Sequence, residues 1–232
     1  MSALCTICAR GGSKGVANKN IRLMHGRPLV AWTIEQARAS QLFDFLAVSS
    51  DSPDILQAAK DAGADMLVKR PDDLATDQAA KIPAIRHCVQ SAEAHTSKQY
   101  DVLVDLDATS PLRFPSDIVG AVELLKQRNA PNVITGMSAR RSPYFNLVEE
   151  NARGAVNLAK PLEKPVVRRQ DAPKCYDMNA SIYVWRHDAL FEDPAIFKPD
   201  TVLYVMPEER SIDIDSELDF KIVEMILAER AT

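Results

Sequence analysis

Along almost the whole chain, short apolar runs alternate with helix-spaced patterns, and nearly every apolar run ends in a cluster of polar residues. The runs at 45–48 and 66–68 are too short for helices and lack polar alternation, so they read as strands buried on both faces. Residues 4–9, 100–106 and 133–135 read the same way. Between them, 28–40 carries Val30, Ile34 and Ala37 at helical spacing, with Pro28 suited to the first turn. The stretch 53–62 reads as a helix closed by Gly63, and Ile82, Ile85 and Val89 share the face of another. Ser116 can cap a further helix with Ile118, Val122 and Leu125 inward. This order predicts an α/β, Rossmann-like doubly wound fold with a mostly parallel sheet covered on both faces. Ligands of such sheets bind beyond the carboxyl ends of the strands, which is where the polar clusters fall.

The first of those clusters is the most informative. The run ending at Ala9 opens into Arg10, Gly11, Gly12, Ser13, Lys14 and Gly15, then Asn18, Lys19 and Asn20. Glycines let the backbone approach an anion and present successive N–H groups, and Arg10, Lys14 and Lys19 can neutralise several charges. The spacing fits neither a P-loop nor a dinucleotide fingerprint. The residues alone leave two readings open, a polyphosphate loop or a solvated basic turn.

A second cluster lies near the other end. Asp213 and Asp215 stand two apart at the end of an expected strand, so their carboxylates project from one face. Two like charges held together call for a cation, and Mg²⁺ is the hard ion that accompanies nucleotide phosphates. The alternative is that Asp213 is structural and Asp215 caps the last helix. That helix is expected over 216–230, with Ser216 and Asp219 approximating a capping box.

Composition narrows the partners. With 232 residues and 46% hydrophobic content, the chain can bury a core as one domain, 1–232. A net charge of -4 argues against a general nucleic-acid binder, so any anion site must be local. No apolar run approaches the roughly 20 residues of a membrane span, and no secretory leader is evident, which points to a soluble cytoplasmic protein. Cys5 and Cys8 lie on one expected strand and face opposite sides, so they do not form a redox or zinc pair. The four cysteines are expected as buried free thiols. Regularity fails over 138–177, which reads as an insertion with a small β-arm, either a subunit interface or a plain surface excursion. It returns at 180–185 and 202–206.

The loop at 9–20 resembles the amino-terminal signature of the acylneuraminate cytidylyltransferases, the CMP-sugar synthetases. The stretch 213–220 is similar to that family's terminal metal-binding motif. Blocks at 48–52, 69–71, 109–113, 168–170 and 179–183 follow in family order. The resemblance implies CMP transfer from CTP, with Mg²⁺, to a nine-carbon acidic sugar by a homodimer. It implies that Arg10, Gly11, Ser13, Lys14, Lys19 and Asn20 hold the triphosphate, that Arg70 helps read cytosine, and that Asp213 and Asp215 bind the metal. Arg10, Lys19 and Asp215 would be catalytic. Asp107, Thr109, Ser110, Arg169, Gln170, Asn179 and Tyr183 would face the sugar. Eight-carbon (Kdo-type) synthetases and a non-catalytic sugar-nucleotide sensor are the alternatives. Two departures stand out: Asp107-Ala108 replaces the usual Gln-Pro, and Asn179-Ala180 replaces Asn-Gly. An acid at 107 either alters metal coordination, recognises a donor group on the sugar, or serves as a hydrogen-bonded strand end. Together the two blocks look closer to the legionaminic-type branch.

Overall fold

The computed structural model describes residues 1–230. In chain order its elements are β1 (Ala3–Cys8), a small hairpin of β2 (Leu23–Met24) and β3 (Arg27–Pro28), α1 (Leu29–Ala39), β4 (Phe45–Ser50) and α2 (Pro53–Asp61). Then come β5 (Met66–Lys69), α3 (Lys81–Thr96), β6 (Val102–Leu106), α4 (Pro115–Arg128) and β7 (Asn132–Ser138). The remainder is β8 (Val148–Glu150), β9 (Val156–Leu158), β10 (Tyr176–Arg186), α5 (His187–Phe191), β11 (Val202–Val205) and α6 (Glu217–Arg230).

Seven strands form the main sheet in the order β11-β7-β10-β6-β1-β4-β5. All neighbours pair parallel except β10, which runs antiparallel to both β6 and β7. The sheet is therefore mixed and mostly parallel. Apolar residues of α1, α2 and α4, among them Val30, Ile34, Ile55, Ala59, Ile118 and Val122, fill one face. Ile85, Cys88 and Val89 of α3 fill the other, with Leu190 of α5. Because consecutive residues of a strand face opposite sides, both layers draw on the same strands: Cys5 packs into the first and Leu4 into the second.

A third, smaller core determines where the site lies. Val16 from the opening loop, Leu112, Ile214 and the α6 residues Phe220, Val223 and Leu227 pack together with Met24 and Leu29. Residues remote in sequence are thereby clamped at one end of the sheet.

Several local expectations change. Helix α4 begins at Pro115 rather than after a Ser116 cap, because proline's fixed φ suits the first helical position; the Asp117 carboxylate accepts from the Phe114 N–H at 2.8 Å. The segment 212–215 is not a strand; Ile214 instead packs its side chain with Val16 of the opening loop and Phe220 of α6. The Ser216–Asp219 capping box is present, with the Ser216 N–H donating to the Asp219 carboxylate at 2.8 Å and the Asp219 N–H to Ser216 Oγ at 3.3 Å. Cys5 and Cys88 are buried free thiols, but Cys8 is only partly buried, and so is Cys175, which sits in the excursion. That excursion contains the β8–β9 hairpin.

Strand β10 starts four residues before the expected 180, and the register of its pairing with β7 shifts between Met178 and Tyr183. Ala180 sits within this irregularity at φ 52°, a left-handed conformation that costs an L-residue about 1–2 kcal/mol. Replacing Ala180 with glycine is expected to remove that strain, less the extra freedom glycine gives the unfolded chain, for a net gain of roughly 0.5–1 kcal/mol in urea unfolding.

Candidate active site

Beyond the carboxyl ends of β1, β5 and β6 lies a cavity of about 490 Å³. Its walls include Arg10, Ser13, Lys14, Lys19, Arg70, Lys81, Asp107, Thr109, Asp213 and Asp215, so the cationic loop and the acidic segment share one cleft. The two are in direct contact. Lys19 Nζ donates to the Ile214 carbonyl and stands 3.6 Å from the Asp215 carboxylate. Gly15 lies so close to the Asp215 carbonyl that a Cβ there would collide with backbone, which explains the glycine. The Ile214 N–H donates to the Thr109 carbonyl at 3.0 Å, which joins the acidic segment to the loop after β6.

Two amides of the opening loop are already engaged within the chain. The Gly11 N–H donates to the Asp51 carboxylate at 2.9 Å and the Ser13 N–H to the Gly11 carbonyl at 3.0 Å. Asn20 is buried, and its Nδ2 donates to the Arg10 carbonyl at 2.9 Å, which closes the loop. Asp77, from the segment before α3, pairs with both Arg10, at 2.6 Å, and Lys14. Contact with Lys14 and then Arg10 holds its carboxyl below the usual carboxylate range, against a smaller opposing effect of desolvation. Arg70 is buried at the wall, with Nη2 donating to the Ser49 carbonyl at 3.0 Å.

The floor of the cleft is a buried charge network. Asp105, fully buried at the end of β6, accepts from Thr6 Oγ1 at 2.8 Å. Lys81, the first residue of α3, places Nζ 3.1 Å from Asp105 and 2.8 Å from Asp107, 4.4 Å from the centre of the Tyr183 ring. Asp107 also accepts from the Thr109 N–H and hydroxyl at 3.1 and 2.9 Å. Burial works against charge on both Lys81 and Asp107, but their pairing outweighs it: Lys81 is held above the lysine range and Asp107 well below the carboxylate range. Asp213 goes the other way. Burial first, and then the charge of Asp107, push its carboxyl up to about 6, although it contacts the Thr109 hydroxyl.

Not every expected residue reaches the cleft. Arg169 and Gln170 form an exposed turn and border a separate hollow of about 510 Å³ with Arg141, Lys174 and Tyr176. Asn179 is buried, accepting from Thr135 Oγ1 at 2.7 Å and donating to Ser211 Oγ at 3.0 Å, so its polar groups serve the β7–β10 irregularity. Ser110 is buried behind the cleft. Tyr183 presents its ring to Lys81 and stacks on Trp185 at 5.5 Å. Lys81, Asp105 and Asp77, which now stand in or against the site, carried no motif in the sequence.

A cleft at strand ends, with cations on one wall and carboxylates on another, is that of a nucleotide-handling α/β protein. Residues 4–220 match the cytidylyltransferase family model, and the chain belongs to that family of nucleotidyltransferase enzymes. It is 46% identical over 227 residues to the post-translational flagellin modification protein B of Campylobacter coli, covering 98% of this chain and 95% of that one. It is 47% identical over 225 residues to the CMP-N,N'-diacetyllegionaminic acid synthase of Campylobacter jejuni, covering 97% and 94%. In fold it is similar to a CMP:2-keto-3-deoxy-manno-octonic acid synthetase complexed with CTP, with a TM-score of 0.69, 17% identity and coverage of 99% and 100%.

The raised Asp213 carboxyl has a measurable consequence. A carboxyl whose folded pKa exceeds its unfolded value makes the charged form a liability, so stability is gained as pH falls through about 6 toward 4. Asp213→Asn is expected to raise the melting temperature of the ligand-free protein at pH 7.5, and the gain should vanish near pH 4, as read by calorimetry across that range.

Proposed function

We propose that this cytidylyltransferase moves CMP from CTP to the anomeric C2 hydroxyl of a nonulosonic acid of the legionaminic type, working in the cytoplasm as a homodimer. The observation that carries this reading is the contact of the cationic loop with the acidic segment through Lys19, Gly15, Ile214 and Asp215. A triphosphate needs the first wall, and a metal that accompanies it needs the second. The similarity to the legionaminic acid synthase of Campylobacter jejuni supports the sugar class.

In this reaction the C2 oxygen attacks the α-phosphorus. Its bond forms as the bond to the bridging α–β oxygen breaks; pyrophosphate takes that electron pair, and the hydroxyl proton passes to Asp215 or solvent. The protein mainly positions and stabilises charge. Lys19 would face the α-phosphate, while Arg10 and Lys14 would turn from Asp77 to the leaving pyrophosphate. Asp213 and Asp215 suit Mg²⁺, which is usually held by one or two carboxylates with substrate phosphates; the upward shift of Asp213 marks a charge that a cation would relieve. When bound, Mg²⁺ offsets negative charge on the triphosphate.

Arg169 and Gln170 stand away from the cleft and reach a sugar only when supplied by a second copy. The excursion that carries them exposes Leu147, Val148, Val156, Leu162 and Val167, an apolar surface suited to burial between subunits. A mass measurement in solution should return two chains; a single-chain mass would remove this part of the reading.

The decisive assay is pyrophosphate release from CTP, Mg²⁺ and a panel of nonulosonic acids and Kdo. Lys19→Ala should lower kcat on the order of 100-fold, as loss of one donor to developing charge typically does. Asp215→Asn should raise the Mg²⁺ concentration needed for half-maximal rate. Near-normal rates in both variants would refute the assignment, and nucleotide binding without release would favour a sensor.

A further inference from the structure

We propose that the Lys81–Asp107 ion pair is a hydroxyl-recognition site in the cleft, in which one substrate hydroxyl donates to Asp107 and accepts from Lys81. This deepens the reading above and rests on it.

The argument begins with an inventory of donors and acceptors. Lys81 has three N–H donors; one is hydrogen-bonded to Asp107, and the ammonium faces Asp105 Oδ2 at 3.1 Å in a charge contact without a hydrogen bond. Asp107 has four acceptor positions on its two oxygens; Lys81 and the Thr109 N–H account for two, and the single Thr109 hydroxyl proton, which also faces Asp213, accounts for a third at most. At least one donor and one acceptor therefore remain, on groups joined at 2.8 Å. Both side chains line the cavity and stay partly open to it, Lys81 at 26% and Asp107 at 23% exposure.

The partner chemistry follows from that spacing. A single oxygen that both donates and accepts satisfies the pair, and a hydroxyl is such a group. A secondary amide points its N–H and carbonyl in opposite directions and so serves only one of the two; a carboxylate would be repelled by Asp107. The pair is also rigid. Lys81 Nζ rests over the Tyr183 ring and Asp107 is anchored by the Thr109 N–H, so neither partner must be ordered when the ligand arrives. A fixed, charged site built around a substrate hydroxyl rejects the analogue that lacks it strongly, because its polar groups are then left unpaired.

Two sources can supply the hydroxyl, the ribose of the nucleotide and the acidic sugar, and the test separates them. The rate constant kcat/KM is measured for pyrophosphate release with CTP, 2′-deoxy-CTP and 3′-deoxy-CTP, and with the accepted acid and its monodeoxy congeners. Wild type is expected to disfavour one of these analogues by about 100-fold or more, and the analogue identifies the source. Lys81→Met should bring that one ratio within a few-fold of unity while the other ratios stay put, and Lys81→Arg should keep part of the discrimination. Ratios cancel a general loss of folded enzyme; if Lys81→Met is not obtained folded, Asp107→Ala, which removes the acceptor, is read in the same way. Equal discrimination in wild type and variants, or none in wild type, overturns the inference alone. Absence of turnover with every acid overturns the assigned reaction and this inference with it.

Discussion

Ile214 is the hinge on which this site turns, through its backbone as well as its side chain. Its N–H donates to the Thr109 carbonyl, its carbonyl accepts from Lys19, and its side chain is buried among Val16, Leu112 and Phe220. A single residue thus ties the end of β6, the opening loop and helix α6 together. The flanking aspartates have no strand to hold them; their positions are inherited from this anchor. Gly15 permits the close approach, and any side chain there would press the two walls apart.

A second level of order comes from buried charge. Unpaired, a carboxylate as deep as Asp105 would be costly, and a buried pair repays its desolvation only with good geometry and further hydrogen bonds. Lys81 answers the charge of both Asp105 and Asp107, Thr6 donates to one Asp105 oxygen and Thr109 to Asp107, while the other Asp105 oxygen is left with its ion contact to Lys81 and no hydrogen bond. Arg113 adds another support: fully buried, it donates to the carbonyls of Asp107 and Ser181 and to the Thr33 hydroxyl. Burial pushes its guanidinium down to about 10, still charged at neutral pH. The loop after β6 is consequently held from beneath as well as from the cleft side.

Much of the scaffold was legible because it rests on local periodicity. The apolar runs of β1 and β4, and the Ile34 and Ile85 stripes, announce themselves in any window of a dozen residues. The union of the opening loop with Asp213 and Asp215 was legible only through resemblance, since nearly two hundred residues separate them. Lys81 carries no local signal; its meaning depends on β6 lying beside β1, which no local pattern states. The strand at 212–215 was misread because alternating Ile and Asp mimic a half-buried strand, while the tertiary clamp of α6 decided otherwise. Asn179 shows the opposite failure: a polar residue in a shared block, turned inward to satisfy Thr135 and Ser211.

The pairing of Asp77 with Arg10 and Lys14 carries a thermodynamic consequence. These two cations already share one carboxylate of the same chain, which offsets half of their charge. A polyanion that enters therefore exchanges with an internal counter-ion, where an open basic patch would shed dissolved ions into bulk solvent. Its affinity will depend on ionic strength less steeply than the number of cations around it suggests, and the liberated carboxylate, carried on the segment ahead of α3, becomes part of what binding sets in motion.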